Sequence, residues 1–280
     1  MKLIDYFDRA CVIHLPDRTD RYRALESELK LIGVDIGGPK VQIPFAPMPS
    51  DANGFYSKGV YGSFLSHLGI LKQALEDKLQ TIWVLEDDAI FSHRLAREQE
   101  QLADFLQKTT WDLCFFGHSL RHELKGKKKG LVHSSAEFRW CHCYAVHART
   151  LPRLVTYLEE TMSTPEGDPK GGKMFIDGAY NLFRRFNPDI VSLVANPVLS
   201  LQRGCTSSLN ESPWYDRQRF MMPVASFVRS ARDEIWRSTG VYLRRYVRAG
   251  PRKPILAPAS VQEPIGSRPE ALSSLDRTGP

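Results

Sequence analysis

Apolar and polar positions along the chain follow two periods. Ala10–Leu15 (ACVIHL) is a short apolar run that predicts a buried strand, stopped by Pro16. Thr19 or Asp20 then caps a predicted helix in which Tyr22, Leu25, Leu29 and Ile32 recur at helical spacing, and Gly33 ends it. Beyond a loop rich in proline and glycine (Pro44, Pro47, Pro49, Gly54), a second helix is predicted from about Ser63, with Phe64, Leu68, Leu71 and Leu75 on one face. Thr81–Leu85 (TIWVL) reads as a strand ended abruptly by Glu86-Asp87-Asp88. A helix over Glu98–Leu106, a strand over Trp111–Phe116, an alternating strand over Phe138–Val146, a helix opening near Pro152 and a last strand over Ile190–Val194 complete the pattern. Strands separated by helices predict an α/β domain around a mostly parallel central sheet. Lys125-Gly-Lys-Lys-Lys-Gly130 interrupts the periods and reads as a solvated polar turn.

Composition adds bounds. At 280 residues, 42% hydrophobic and 25% charged, the chain has the make-up of a globular protein large enough to bury a full core. Its longest apolar runs fall far short of the roughly 20 residues of a membrane span. The start, MKLIDYFDRACVIHL, carries Asp5 and Asp8 and no apolar signal region, which predicts a cytoplasmic protein. Five cysteines, an odd number, fit free thiols in a reducing compartment. Cys141-His142-Cys143 matches no zinc spacing, and on a strand His142 would point away from both cysteines, so packing is the expected role.

The net charge of +6 is localised. Residues 215–253 hold ten Lys/Arg against three Asp/Glu, or +7, residues 254–280 carry −1, and residues 1–214 are neutral. Within the basic segment Phe220, Val224, Phe227, Val228, Ala231 and Ile235 recur at helical spacing, with Trp236 close by. The pattern fits a basic helical C-terminal segment, 215–250, lying on an anionic membrane surface, peripheral on its inner face. It equally fits a helix packed on the domain with its arginines in water. From Pro251 onward, proline, serine and glycine predict a disordered tail.

The acidic triplet carries the most chemistry. In open α/β sheets ligands bind beyond the carboxyl ends of the strands, where Glu86, Asp87 and Asp88 would lie. Three adjacent carboxylates repel one another unless a cation or hydrogen-bond donors offset them, and hard oxygen ligands suit Mg²⁺ or Mn²⁺. A solvated acidic turn remains the alternative. Arg18 and Arg21 follow the first strand near a helix N-terminus and suit phosphate, or form a surface pair on an amphipathic helix. G-x-S-x-G, P-loop and G-x-G-x-x-G motifs are absent from the sequence.

The order of motifs resembles glycosyltransferase family 25, the lipopolysaccharide-type β-galactosyltransferases. Leu15-Pro-Asp-Arg-Thr-Asp-Arg21 resembles its L-x-x-R-x-x-R signature, and Gly62-Ser-Phe-Leu-Ser-His67 its G-C-x-x-S-H helix, with Ser63 in place of cysteine. Leu85-Glu-Asp-Asp88 resembles its EDD metal motif. Tyr144-Ala-Val, Phe175-Ile-Asp177 and Pro197-Val-Leu-Ser-Leu-Gln202 with Ser207-Ser208 resemble later segments. The family's Asp-Ile after the final serine is Ser208-Leu209 here.

The resemblance implies a GT-A-like domain over residues 1–214 and an inverting hexosyltransferase with a UDP-sugar donor, most simply UDP-galactose. It also implies Mn²⁺ or Mg²⁺ held by Asp87 and Asp88, and a saccharide or glycolipid acceptor of a cell-surface glycan such as lipopolysaccharide. Glu86 would orient a ligand or the ribose, while Arg18 and Arg21 would bind the nucleotide. His67 either faces the site or is a buried, hydrogen-bonded histidine, and Gln202 lines the pocket by resemblance. Asp177 follows an apolar stretch and opens a predicted helix, as either the catalytic base or a plain helix cap. The competing class is a non-catalytic module of the same fold, tethered by its basic segment to membrane or nucleic acid. With a neutral main domain and no recognised motif, nucleic acid is not expected.

Overall fold

The computed structural model describes residues 1–120, 123–203 and 222–239, with the side chains of the last helix described from residue 230 onward. In chain order the elements are α1 (Leu3–Tyr6), β1 (Arg9–Ile13), α2 (Thr19–Leu31), β2 (Val41–Gln42), α3 (Lys58–Glu76), β3 (Thr81–Glu86), β4 (Ala89–Phe91) and α4 (His93–Lys108). They continue with β5 (Leu113–Phe115), β6 (Gly130–His133), β7 (Cys143–His147), α5 (Leu151–Ser163), α6 (Ile176–Phe186), β8 (Ser192–Asn196), β9 (Ser200–Gln202) and α7 (Met222–Thr239).

Seven strands form one sheet in the order β2-β1-β3-β7-β5-β8-β6, and β4 pairs with β9 in a second small sheet. β1, β2, β3, β5 and β8 share one direction, so the sheet is mostly parallel, while β7 in the centre and β6 at the edge run the other way. Both faces are covered, so the strands alternate between two cores instead of between core and water. Trp83 and Leu85 face a layer with Leu25, Leu29 and Leu102; Ile82 and Val84 face one with Phe64, Leu71 and Leu154. β7 continues the register, with Cys143 and Ala145 on the first face and Tyr144 and Val146 on the second.

Serine caps set the starts of α3 and α4, whereas α2 opens after Arg18 without a side-chain cap bond, so neither Thr19 nor Asp20 is its cap. Ser57 accepts from the Val60 N–H at 3.2 Å and opens α3 at Lys58, five residues earlier than the apolar stripe suggests. Ser92 does the same for α4 through Leu95 N–H at 3.2 Å, five residues ahead of the expected Glu98. Leu75, expected on the buried face of α3, lies exposed at its end.

The predicted strand over Phe138–Val146 begins only at Cys143. Upstream, the N–H groups of Phe138, Arg139 and Trp140 go to side chains: Asn181 Oδ1, Ser119 Oγ and Asp177 Oδ2. With those donors taken and Trp140 at φ +71°, the segment cannot pleat. His142 therefore lies outside the strand on which its direction was argued, and Cys141, His142 and Cys143 are all buried. Cys11, Cys114, Cys141 and Cys143 are free thiols.

At the C-terminal end, α7 falls within the expected basic helical segment, and of the predicted stripe the described side chains are those of Ala231 and Ile235. Ala231 and Ile235 are exposed, whereas Trp236 packs with Ile90, Val198 and Leu201 on the small β4–β9 sheet. Arg237 pairs with buried Glu28 and with Glu234 (3.2 Å), and Glu234 meets His93 at 3.1 Å. Residues 230–239 thus meet the domain through Trp236 and Arg237 and leave Ala231 and Ile235 in water. Residues 204–221 and 240–280, with the expected tail and Ser207-Ser208, lie outside the described residues. No described helix is long and apolar enough to cross a membrane.

Candidate active site

The site forms where β1, β3 and β5 end and the antiparallel β7 begins, so chain segments of opposite direction meet on one edge of the sheet. Asp87 and Asp88 form the two-residue turn between β3 and β4. The turn is fixed at both ends. Asp87 N–H donates to Ile13 O (3.0 Å), Glu86 N–H to His142 O (2.8 Å) and Arg203 N–H to Asp88 O (2.6 Å).

The three carboxylates have different fates. Both Asp87 oxygens are bound within the protein: Oδ2 meets His14 Nδ1 at 2.9 Å, and Oδ1 accepts from Arg21 Nη1 at 2.8 Å. Arg21 is thereby turned into the site, and its Nη1 lies 3.9 Å from Asp88 Oδ2. Glu86 is reached by His67 Nε2 at 3.4 Å and by Gln202 Nε2 at 3.4 Å. Burial pushes the Glu86 carboxyl up, but the His67 hydrogen bond and the positive charge of His67, His142 and Arg21 outweigh it, leaving it below its ordinary value.

Asp88 goes the other way. Burial first, then the charges of Glu86 and Asp87, hold its carboxyl well above the usual range despite Arg21 and a hydrogen bond from Gln202. Its Oδ1 is buried and has no hydrogen-bond partner among the described residues. A buried carboxylate oxygen without a donor, beside two further acids, is stabilised as an anion by an added cation. That fits a divalent ion at Asp88. Asp87 fits the expected ligand role less well, because His14 and Arg21 already take its oxygens. Among the described residues no three His, Cys, Asp or Glu side chains cluster as a complete metal set, so the remaining ligands would come from substrate and water.

His67 resolves the two sequence readings into one: it is fully buried, and it touches the triplet. Tyr144 Oη lies 2.9 Å from its Nδ1. Its two ring nitrogens thus bridge the Tyr144 hydroxyl and the Glu86 carboxylate. Arg18 instead turns to Asp20 through two 3.0 Å contacts and is not joined to the triplet by them.

Asp177 is the second residue of α6, whose N-cap is Phe175, so it is not the plain cap. Its Oδ2 accepts from Trp140 N–H (3.0 Å) and its Oδ1 from Gly178 N–H (2.9 Å). Burial raises its carboxyl, the two N–H groups oppose this, Glu86 adds to it and Arg139 opposes it; the net shift is upward.

Several residues escaped the sequence reading. His14 ends the first apolar run and gave no polar signal of its own. Tyr144 sat in a strand. Gly117 follows β5 so closely to His142 that a Cβ there would come within 2.4 Å of Nε2. Glu28, 3% exposed, accepts from Phe91 N–H (3.0 Å) and Arg203 Nη2 (2.7 Å), bracing the strand ends behind the turn.

With this geometry described, the chain can be set beside known proteins. Residues 40–165 match the family described as glycosyltransferase family 25 (LPS biosynthesis protein). Procollagen galactosyltransferase 2 of Mus musculus is 24% identical over 157 residues, covering 53% of this chain and 24% of the mouse protein. The Homo sapiens protein of the same name is 23% identical over 127 residues, 45% of this chain and 19% of its own. The chain therefore spans about a quarter or less of the length of these relatives. Among solved structures, a glycosyltransferase involved in glycosylation of the PBCV-1 major capsid covers 77% of this chain and 98% of its own, at 13% identity and a TM-score of 0.44. 4-Diphosphocytidyl-2C-methyl-D-erythritol synthase from Anaerococcus prevotii covers 80% and 83%, at 10% identity and a TM-score of 0.37.

Proposed function

We propose that the chain transfers a hexose from a UDP-sugar to a saccharide hydroxyl, on a GT-A-like domain, with inversion at the sugar. The observation that carries the proposal is Asp88 Oδ1, buried beside Glu86 and Asp87 with no hydrogen-bond partner among the described residues. Mn²⁺ or Mg²⁺ at Asp88 would offset the charge that develops on the departing UDP. Arg21, held in place by Asp87, adds fixed positive charge toward the same phosphates. Glu86, steadied by His67 and Gln202, is placed to hold a ribose or sugar hydroxyl. Asp177 takes the proton of the acceptor hydroxyl, and its raised carboxyl makes it a stronger base than an ordinary aspartate.

Galactose is the donor sugar favoured by the names of the mammalian relatives, and the family's description favours a lipopolysaccharide acceptor. UDP release from a panel of UDP-hexoses, with Mn²⁺ and with chelator, tests the reading. Release that requires the cation and is greatest with UDP-galactose supports it. UDP binding without release or transfer would favour the non-catalytic module. Anchoring of the protein on the inner membrane face through residues 215–250 is a separate proposal. Co-sedimentation of the full-length chain with anionic vesicles checks it, and indifference to vesicles would exclude it.

A further inference from the structure

The chain holds one large residue in an expensive conformation and leaves it in water. Trp140 has φ +71°, a region that bulky side chains rarely adopt and that costs about 1–3 kcal/mol. Three consecutive side-chain acceptors, Asn181, Ser119 and Asp177, bind the N–H groups of residues 138–140 and enforce that bend. Such restraint commonly serves to bury a ring, yet Trp140 remains 37% exposed. Trp140 is not among the described residues packed in either core layer.

The other side of Asp177 repeats the pattern. Phe175 occupies the N-cap position of α6, where a serine or aspartate would have bound the free N–H groups; it makes no cap bond and is 46% exposed. Tyr56, 72% exposed, lies against it with ring centroids 5.6 Å apart and planes at 38°. Exposed rings therefore stand on both chain segments that hold the Asp177 carboxylate: Trp140 through its N–H, and Phe175 two residues before it.

We propose that Trp140, Phe175 and Tyr56 form a stacking platform for the pyranose ring of the acceptor. A pyranose has one apolar face of C–H groups and a rim of hydroxyls, and aromatic faces beside one carboxylate match that chemistry. The ring stacks on the aromatic surface while one hydroxyl reaches Asp177. The charged contacts lie instead on the Asp87–Asp88 side, as a neutral acceptor and an anionic donor would demand. This rests on the glycosyltransferase reading for the identity of the ligand, but its test does not depend on turnover.

The test uses the full-length protein without donor and a panel of methyl β-glycosides of galactose, glucose and N-acetylglucosamine. Saturation-transfer NMR is expected to show magnetisation passing to the axial ring protons of at least one glycoside. Phe175→Ala should reduce the signal at least fivefold, and Trp140→Gly likewise. Glycine is unstrained at φ +71°, so Trp140→Gly should keep or raise the melting temperature; a merely structural tryptophan would lower it. Absence of transfer to all glycosides, or full retention in both variants, overturns the platform. So does shielding of Trp140 by phosphatidylglycerol vesicles but by no glycoside. Glycoside binding by a wild-type protein that never releases UDP would instead leave the platform standing and sink the transferase.

Discussion

The two sides of the site are built from different materials. At the Asp87–Asp88 turn, buried carboxylates meet basic side chains: Asp87 with His14 and Arg21, and Glu86 with His67. Around Asp177 the partners are neutral backbone N–H groups, and the surroundings are exposed rings. The first arrangement suits an anionic ligand with a cation and the second a neutral, hydroxylated one. The contrast recurs between neighbours within the turn. Asp87 has both oxygens bound inside the protein, while Asp88 keeps a buried oxygen with no donor among the described residues.

The sharpest way to break this comparison is at the neutral side. Asp177→Asn should lower transfer about 10²–10⁴-fold while leaving UDP binding intact, as measured by steady-state kinetics and UDP titration. The base must be ionised to act, so activity falls as pH drops through its folded-state value. Because that value is raised, the acid limb of kcat/KM should lie above the ordinary aspartate range, and the limb should vanish in the variant.

At the charged side, Asp87→Ala removes the counterpart of a buried arginine and histidine. A loss of about 3–5 kcal/mol of stability is expected by denaturant unfolding. Asp88→Ala should cost far less, since burial, Glu86 and Asp87 already disfavour its charge. Equal losses for the two aspartates would erase the distinction drawn between them. The smallest effect is expected of Tyr144→Phe, which strips His67 Nδ1 of its hydroxyl partner. About 1–3 kcal/mol of stability and a severalfold slower UDP release are expected, read by thermal unfolding and turnover.

Much of the fold was legible because long periodic segments carry their own signal. The runs ACVIHL and TIWVL became β1 and β3, and the 3–4 spacing of Leu25 and Leu29 became α2. Short strands were not: β4 and β9 have three residues each, and their pairing depends on a turn whose acidity reads equally as solvated loop. The Phe138–Val146 alternation misled at its first half, because Asn181, Ser119 and Asp177, distant in sequence, take the N–H groups a strand would need. In the site, the triplet stood out as adjacent like charges. Its support did not, because His14, Tyr144 and Glu28 acquire their roles only when strands and helices far apart in sequence meet. At the described end of the C-terminal stripe the reason is related: Trp236, not Ile235, finds the space among Ile90, Val198 and Leu201.

The central claim is that Asp88 marks a cation-assisted diphosphate site. Calorimetric titration of UDP into the wild-type protein with Mn²⁺ and with chelator tests it directly, alongside Asp88→Asn and Asp177→Asn. The account predicts UDP binding that requires Mn²⁺, is lost in Asp88→Asn and persists in Asp177→Asn. UDP binding that ignores Mn²⁺, or that survives in Asp88→Asn, would contradict it.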